Sequence, residues 1–240
     1  MKTQEKNFDG IKLSGFTAIL IMLALTGTAI YLLSLPQTPS IIAGVICGIC
    51  VVVMLPGFMI IQPNNSRVLT FFGRYAGTVI SNGFYWVNPL FLKSTVTLRI
   101  LNLNIDPIKV NDKVGNPIMI GAVVVWRIKD TYKASFDISG NIREFVQIQS
   151  DAALRQVAGM YAYDTNETID KVTLRSDESG EITQRLEDEL NSRLAIAGIE
   201  IVEARINYLA YASEIASVML RRQQADAIIS ARERIVEGAV

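Results

Sequence analysis

The sequence predicts an α+β protein hung from an N-terminal helical hairpin, and three observations carry that expectation. No Asp, Glu, Lys or Arg occurs between Leu13 and Ser66, where an ordinary soluble chain has about one charge in four residues. Short alternating apolar runs punctuated by glycine follow, and from Asn141 the apolar residues recur at three-and-four spacing. Strands followed by helices and a returning strand predict helices packed on a mostly antiparallel sheet.

The uncharged stretch divides in two. Leu13 to Leu35 gives about 23 residues, roughly 35 Å as a helix, enough for a hydrocarbon core of about 30 Å. Ile41 to Ile61 gives about 21 more, and Pro36-Gln37-Thr38-Pro39-Ser40 separates them with two helix-breaking prolines. A hairpin leaves both ends on one side. Lys2, Lys6 and Lys12 precede it and Arg67 and Arg74 follow it, while the connecting loop is uncharged, so the positive-inside rule places the remainder in the cytoplasm at the cell membrane. A shallow hairpin entering and leaving one leaflet gives the same sidedness, and Pro56-Gly57 near the end of the second run is compatible with it. Gly44 and Gly48, four apart, predict a face for close helix packing within the hairpin or between subunits. Cys47 and Cys50 have C-x-x-C spacing, but in hydrocarbon the thiolate is disfavoured and they are expected to be inert small apolar residues.

After the cytoplasmic tail 1–12 and the hairpin 13–61, the domain is expected over 62–210. Arg67 to Phe72 is a β-branched and aromatic run stopped by Gly73. Thr95 to Ile100 and Leu101 to Ile105 alternate in opposite phases, which predicts a bulge or bend between them. Asp112 to Pro117 is a turn sequence, and Ile118 to Ile128 is apolar enough to predict a central strand covered on both faces. A helix is expected from Asn141 toward Met160. A second, Ser179 to Ala197, places Ile182, Leu186, Leu190 and Leu194 on one face and ends at Gly198. A strand then runs from Ile199 to Tyr208.

From 211 to 240 the composition is that of a long exposed helix. Ile215, Val218, Ala225, Ile229 and Val236 approach a seven-residue repeat, interrupted by Arg222 and Arg232. These positions, Arg222 included, are candidates for inter-subunit helix contacts in a coiled coil that continues past Val240. A solvated helix packed on its own domain is the alternative.

Composition restricts the chemistry. Without histidine there is no Ser-His-Asp triad, no Cys-His pair and no imidazole-bound metal. A net charge of zero argues against nucleic-acid binding. No glycine-rich phosphate loop, ligand cluster or activated nucleophile is evident, and no cofactor is expected. Ser94 beside Lys93 is a poor dyad, because neighbouring side chains on a strand point to opposite faces. Glu187, Asp188 and Glu189 lie on the polar side of an amphipathic helix and are expected to be solvated.

The order of features resembles the stomatin/prohibitin/flotillin (SPFH, Band 7) superfamily, most closely its stomatin-like bacterial members. Phe72-Gly73-Arg74-Tyr75 with Gly77 is similar to the family's FG+Y-x-G turn, Gly83 to Pro89 to its PG-x-x-W-x-x-P stretch, and Val125 to Asp130 to its V-x-Y-x-V-x-D strand. Ala153-Leu154-Arg155 and Gly198-Ile199-Glu200-Ile201 add to the match. Asn82 stands where the family often has Pro, and Trp126 replaces the common Tyr. The resemblance implies a non-enzymatic scaffold that binds membrane lipids, forms homo-oligomeric rings or cages and organises membrane microdomains. It also implies a membrane protease or other membrane protein as partner, and a dedicated regulator of one protease or transporter is the alternative function.

Overall fold

A computed structural model describes residues 5–164, 172–176 and 180–238. Among the described residues, nine strands and six α-helices divide between two compact units: Met1–Arg99 with Ile128–Asp137, and Ile100–Arg127 with Ile138–Val240.

The first unit contains the hydrophobic helices α1 (Gly15–Ser34) and α2 (Thr38–Met54), packed against each other as a hairpin. The connection is shorter than the prolines suggest. Pro39 lies in the first turn of α2, where its missing N–H costs nothing, so only Leu35–Gln37 join the helices. Gly15–Ser34, and Thr38–Gly57 formed by α2 with the 3₁₀ turn that follows it, are each long and apolar enough to cross a membrane, and most of their surface is uncovered: Phe16 is 71% exposed, Leu20 67% and Val52 65%. A core helix of a soluble protein would be buried. The second apolar run does not remain helical to Ile61. It passes through a 3₁₀ turn at Leu55–Gly57 into strand β2 (Phe58–Ile61), whose Met59 and Ile61 enter the domain core.

Two antiparallel three-stranded sheets complete this unit. In one, β5 (Gly83–Trp86) lies between the short β1 (Leu13–Ser14) and β2. In the other, β3 (Asn65–Phe71) lies between β4 (Arg74–Val79) and β6 (Phe91–Thr97). Met59, Ile61, Leu69, Val79 and Val87 form a common core. Residues before the hairpin are part of it. Lys6 and Phe8 exchange backbone hydrogen bonds with Thr78, and Phe8 packs on the core. A chain of hydroxyls then links Tyr75 to Thr78 (2.7 Å), Thr78 to Thr131 (2.9 Å) and Thr131 to the Glu5 carboxylate (2.6 Å). Thr131 opens α3 (Thr131–Phe136), capped by Asp130, whose carboxylate accepts from the Lys133 N–H.

The second unit is a sheet in the order β7 (Leu101–Asn111), β8 (Pro117–Ile128), β9 (Ile199–Tyr211). The phase change at Ile100/Leu101 marks a bend where the chain leaves one sheet and enters another; the register shift within β7 falls between Ile105 and Ile108 instead, around Pro107. Helices α4 (Ile142–Ala158) and α5 (Glu181–Leu194) pack on β7, on β9 and on each other. The central strand β8 is fully covered on one face only: Ile118, Ile120, Val124 and Trp126 are buried, whereas Met119, Val123 and Val125 are half-buried and Arg127 is exposed. Its apolar run reads as two-sided because valine and methionine also tolerate a half-covered face. Ile182, Leu186, Leu190 and Leu194 are all buried, and Gly198 adopts the left-handed conformation at φ 68°. Ser179 lies outside the described residues. The turn between β7 and β8 is organised by Asp112, 5% exposed, whose carboxylate accepts from the N–H groups of Val114, Asn116 and Tyr163 and from the Asn116 amide.

Candidate membrane clasp and assembly surface

Strand β5 holds both ends of the hydrophobic hairpin. Leu13, entering α1, and Phe58, leaving α2, both register opposite Trp86. Two glycines permit this closeness. A β-carbon on Gly15 would lie 2.2 Å from the Phe84 ring, and one on Gly57 would lie 2.3 Å from Nε1 of Trp86. Neither position demands a positive φ; the need is for space.

Strands β5 and β6 close the open end of α2. Carbonyls in the last turn of a helix lack intrahelical partners, which is costly near lipid. Trp86 Nε1 donates to the Met54 carbonyl at 2.9 Å, and the Lys93 ammonium donates to the carbonyls of Pro56 and Phe58. A cation at a helix C-terminus also complements the macrodipole. Burial, followed by the nearby Arg67 charge, pushes the Lys93 pKa below its ordinary value. Around the feet, Phe84 stacks on Phe58 and meets Phe16 edge-on, while Lys12 lies 4.7 Å over the Tyr85 ring and donates to Ser81. Tryptophan, tyrosine and lysine at the ends of apolar helices form the composition of a membrane–water boundary.

Of the expected helix-packing pair, Gly44 is buried against α1: a β-carbon there would lie 2.8 Å from Leu33 and 3.1 Å from the Ala29 carbonyl. Gly48 has nothing within 4 Å. In the β3–β4 turn, Phe72 and Gly73 both have positive φ, 45° and 81°, as a two-residue type I′ hairpin requires. Arg74 is exposed at the tip. Tyr75 meets Tyr132 and Phe136 edge-on, and Gly77, next to the extra residue Ala76 that bulges β4, leaves room for Phe8, whose Cα would be 2.7 Å from a β-carbon.

The long helix is α6 (Ser213–Glu237), tied to its unit by the Lys109–Glu214 ion pair and by the Ala212 N–H donating to the Pro117 carbonyl at 2.9 Å. The hydrogen bond from Lys109 holds the Glu214 carboxyl below its usual range. Ile215 is half-buried; Val218, Arg222, Ala225, Ile229 and Val236 are exposed along one stripe. A second set, Leu220, Ile228 and Ile235, is exposed too, centred about 120° around the helix at 100° per residue.

Gly15, Gly57, Phe84, Trp86 and Lys93 are the residues that periodicity missed. Their available signals were a glycine at each end of the uncharged stretch and the consecutive aromatics Phe84-Tyr85-Trp86. The family model described as SPFH domain / Band 7 family matches residues 59–239, and the chain belongs to that family. Among curated proteins, none matches the chain.

Proposed function

We propose that this protein is a non-enzymatic, membrane-anchored scaffold whose hairpin holds the domain on the cytoplasmic face of the cell membrane and whose copies assemble laterally into rings or cages. The observation that carries the reading is the clasp: two uncovered apolar helices whose outer ends are both pinned to β5 beneath a collar of tryptophan, tyrosine and lysine. An arrangement that fixes both feet in one sheet requires them to share one side of the bilayer. The lysines before the hairpin and the arginines after it make that side the cytoplasm.

Assembly is supported by α6. Exposed apolar residues on two sides of one helix suit a helix with a neighbour on each side, as in a closed ring; a two-stranded coil needs a single stripe. Such assembly multiplies weak individual contacts with lipids and neighbouring membrane proteins, and a membrane protease or transporter is the class of partner it would gather. Gly48, open on the hairpin surface, is the position for helix contacts between subunits. The test is cross-linking in intact membranes through a pair of cysteines at positions 229 and 235, one on each stripe, with Cys47 and Cys50 replaced by serine: ladders of several copies support the reading, and a chain that never cross-links to another copy refutes it.

A further inference from the structure

The residue at the tip of the β3–β4 hairpin is unexpected on physical grounds. A type I′ turn favours Asn-Gly, because both central residues need positive φ. Here the first is Phe72, at φ 45°, a bulky residue in a conformation that glycine, asparagine and aspartate adopt far more readily. The residue is 78% exposed, and its ring meets that of Phe71 edge-on, with centroids 4.8 Å apart. Neither local preference nor burial accounts for an aromatic at this position.

Topology places the tip beside the clasp. Phe71 registers opposite Phe91 at the start of β6, and Lys93, two residues further on, reaches the carbonyls at the foot of α2. Only Val87 to Leu90 separate Phe91 from Trp86, which pairs with both feet of the hairpin. The tip thus lies at the end of the unit where the helices leave it. Leu90 and Leu92 are exposed at this same end, 57% and 68%, and Arg74 flanks the ring with a cation.

We infer that the Phe72 turn is a second lipid contact, inserting its ring among the acyl chains of the leaflet that receives the hairpin while Arg74 meets the phosphate headgroups. The occupant is lipid because Phe72, Leu90 and Leu92 are exposed at the end of the unit from which the apolar hairpin emerges, and a cation beside an apolar wedge matches the boundary between acyl chain and headgroup. This rests on the membrane reading above and adds a third point of support beside the two helices, which would fix the tilt of the domain against the bilayer.

The experiment uses the full chain in vesicles of phosphatidylcholine and phosphatidylglycerol, with bromine on the acyl chains as quencher and aqueous iodide as its counterpart. In a chain carrying Trp126→Phe, which removes the other tryptophan, Trp86 reports the clasp; Phe72→Trp adds the tip. The expected result is that the added emission is blue-shifted, loses most of its intensity to brominated lipid and is untouched by iodide. Trp86 quenched by bromine with the added tryptophan quenched by iodide overturns the inference and leaves the hairpin reading intact. An added tryptophan shielded from both quenchers is covered by protein, which also overturns it. If neither tryptophan senses bromine, the membrane reading and this inference fall together. Should Phe72→Trp not fold, 4-fluorophenylalanine at position 72 answers the same question: its fluorine resonance is expected to broaden with dissolved oxygen, and broadening by an aqueous gadolinium chelate contradicts the inference.

Discussion

A β-carbon on Gly57 would stand 2.3 Å from Nε1 of Trp86 and 2.6 Å from the Val87 carbonyl. The indole cannot withdraw without surrendering the Met54 carbonyl it caps. Gly57→Val is therefore expected to destabilise the first unit by about 2–3 kcal/mol, the range for overpacking a closed contact combined with a lost hydrogen bond. Denaturant unfolding in detergent followed by Trp86 emission, in a Trp126→Phe background that removes the other tryptophan, measures it, and unchanged stability would show that the clasp is loose.

The two glycines of α2 separate the hairpin from its surroundings. Gly44→Val should weaken α1–α2 packing, because the new side chain meets Leu33 and the Ala29 carbonyl. Gly48→Val should leave the isolated hairpin's melting temperature within a degree or two and reduce the size of the assembly. Equal melting of both variants with no change in size would remove Gly48 from any subunit contact.

Asp151 gives a pH dependence. Burial, opposed by Arg155 and reinforced by Asp106, raises its carboxyl above the ordinary value, and its Oδ1 is buried without a hydrogen-bond partner among the described residues. The native state then holds this proton where the unfolded chain has lost it, so this group's contribution to stability falls as pH rises from the ordinary carboxyl value of 3.8 through the raised native pKa. Asp151→Asn should be more stable than the parent at pH 7, with the gap closing below pH 4. Thermal unfolding at the two pH values checks it, and a gap that widens in acid reverses the sign.

Either apolar stripe of α6 should matter. Ile228→Arg and Ile229→Arg place a charge on different stripes, and each is expected to reduce the mass of the detergent-extracted assembly. Loss from one variant alone would indicate a two-stranded coil.

The turn at Phe72 carries conformational strain, so Phe72→Asn, which restores the favoured Asn-Gly pair, should raise the stability of the first unit by about 1 kcal/mol. A fall of that size would show that the Phe71–Phe72 ring contact outweighs the strain.

Helix α5 was fully legible in sequence, because buried leucines and exposed charges contrast sharply at a period of 3.6. The end of α2 was not. Phe58–Ile61 is apolar on both faces of a strand, Met59 and Ile61 toward the core and Phe58 and Ile60 outward, so no alternation distinguishes it from more helix. The residues before the hairpin read as a charged tail, since the partner of Phe8 is Thr78 and pairing so distant leaves no local pattern. Glycine spacing identified a face of α2, and Gly44 lies against α1. Spacing could not say how far along that face the two backbones stay close, and at Gly48 they do not. The clasp stayed hidden for a related reason: Gly15, Gly57 and Trp86 are far apart in the chain, and only the pairing of β1 and β2 on β5 brings them together.

The central claim is that the chain is held in lipid and works by lateral self-association. Copolymer extraction of native membranes, followed by particle mass measurement, tests both halves at once. The account predicts lipid-containing particles with many copies of the chain. A 26.5 kDa particle recovered from the aqueous fraction without lipid would contradict it.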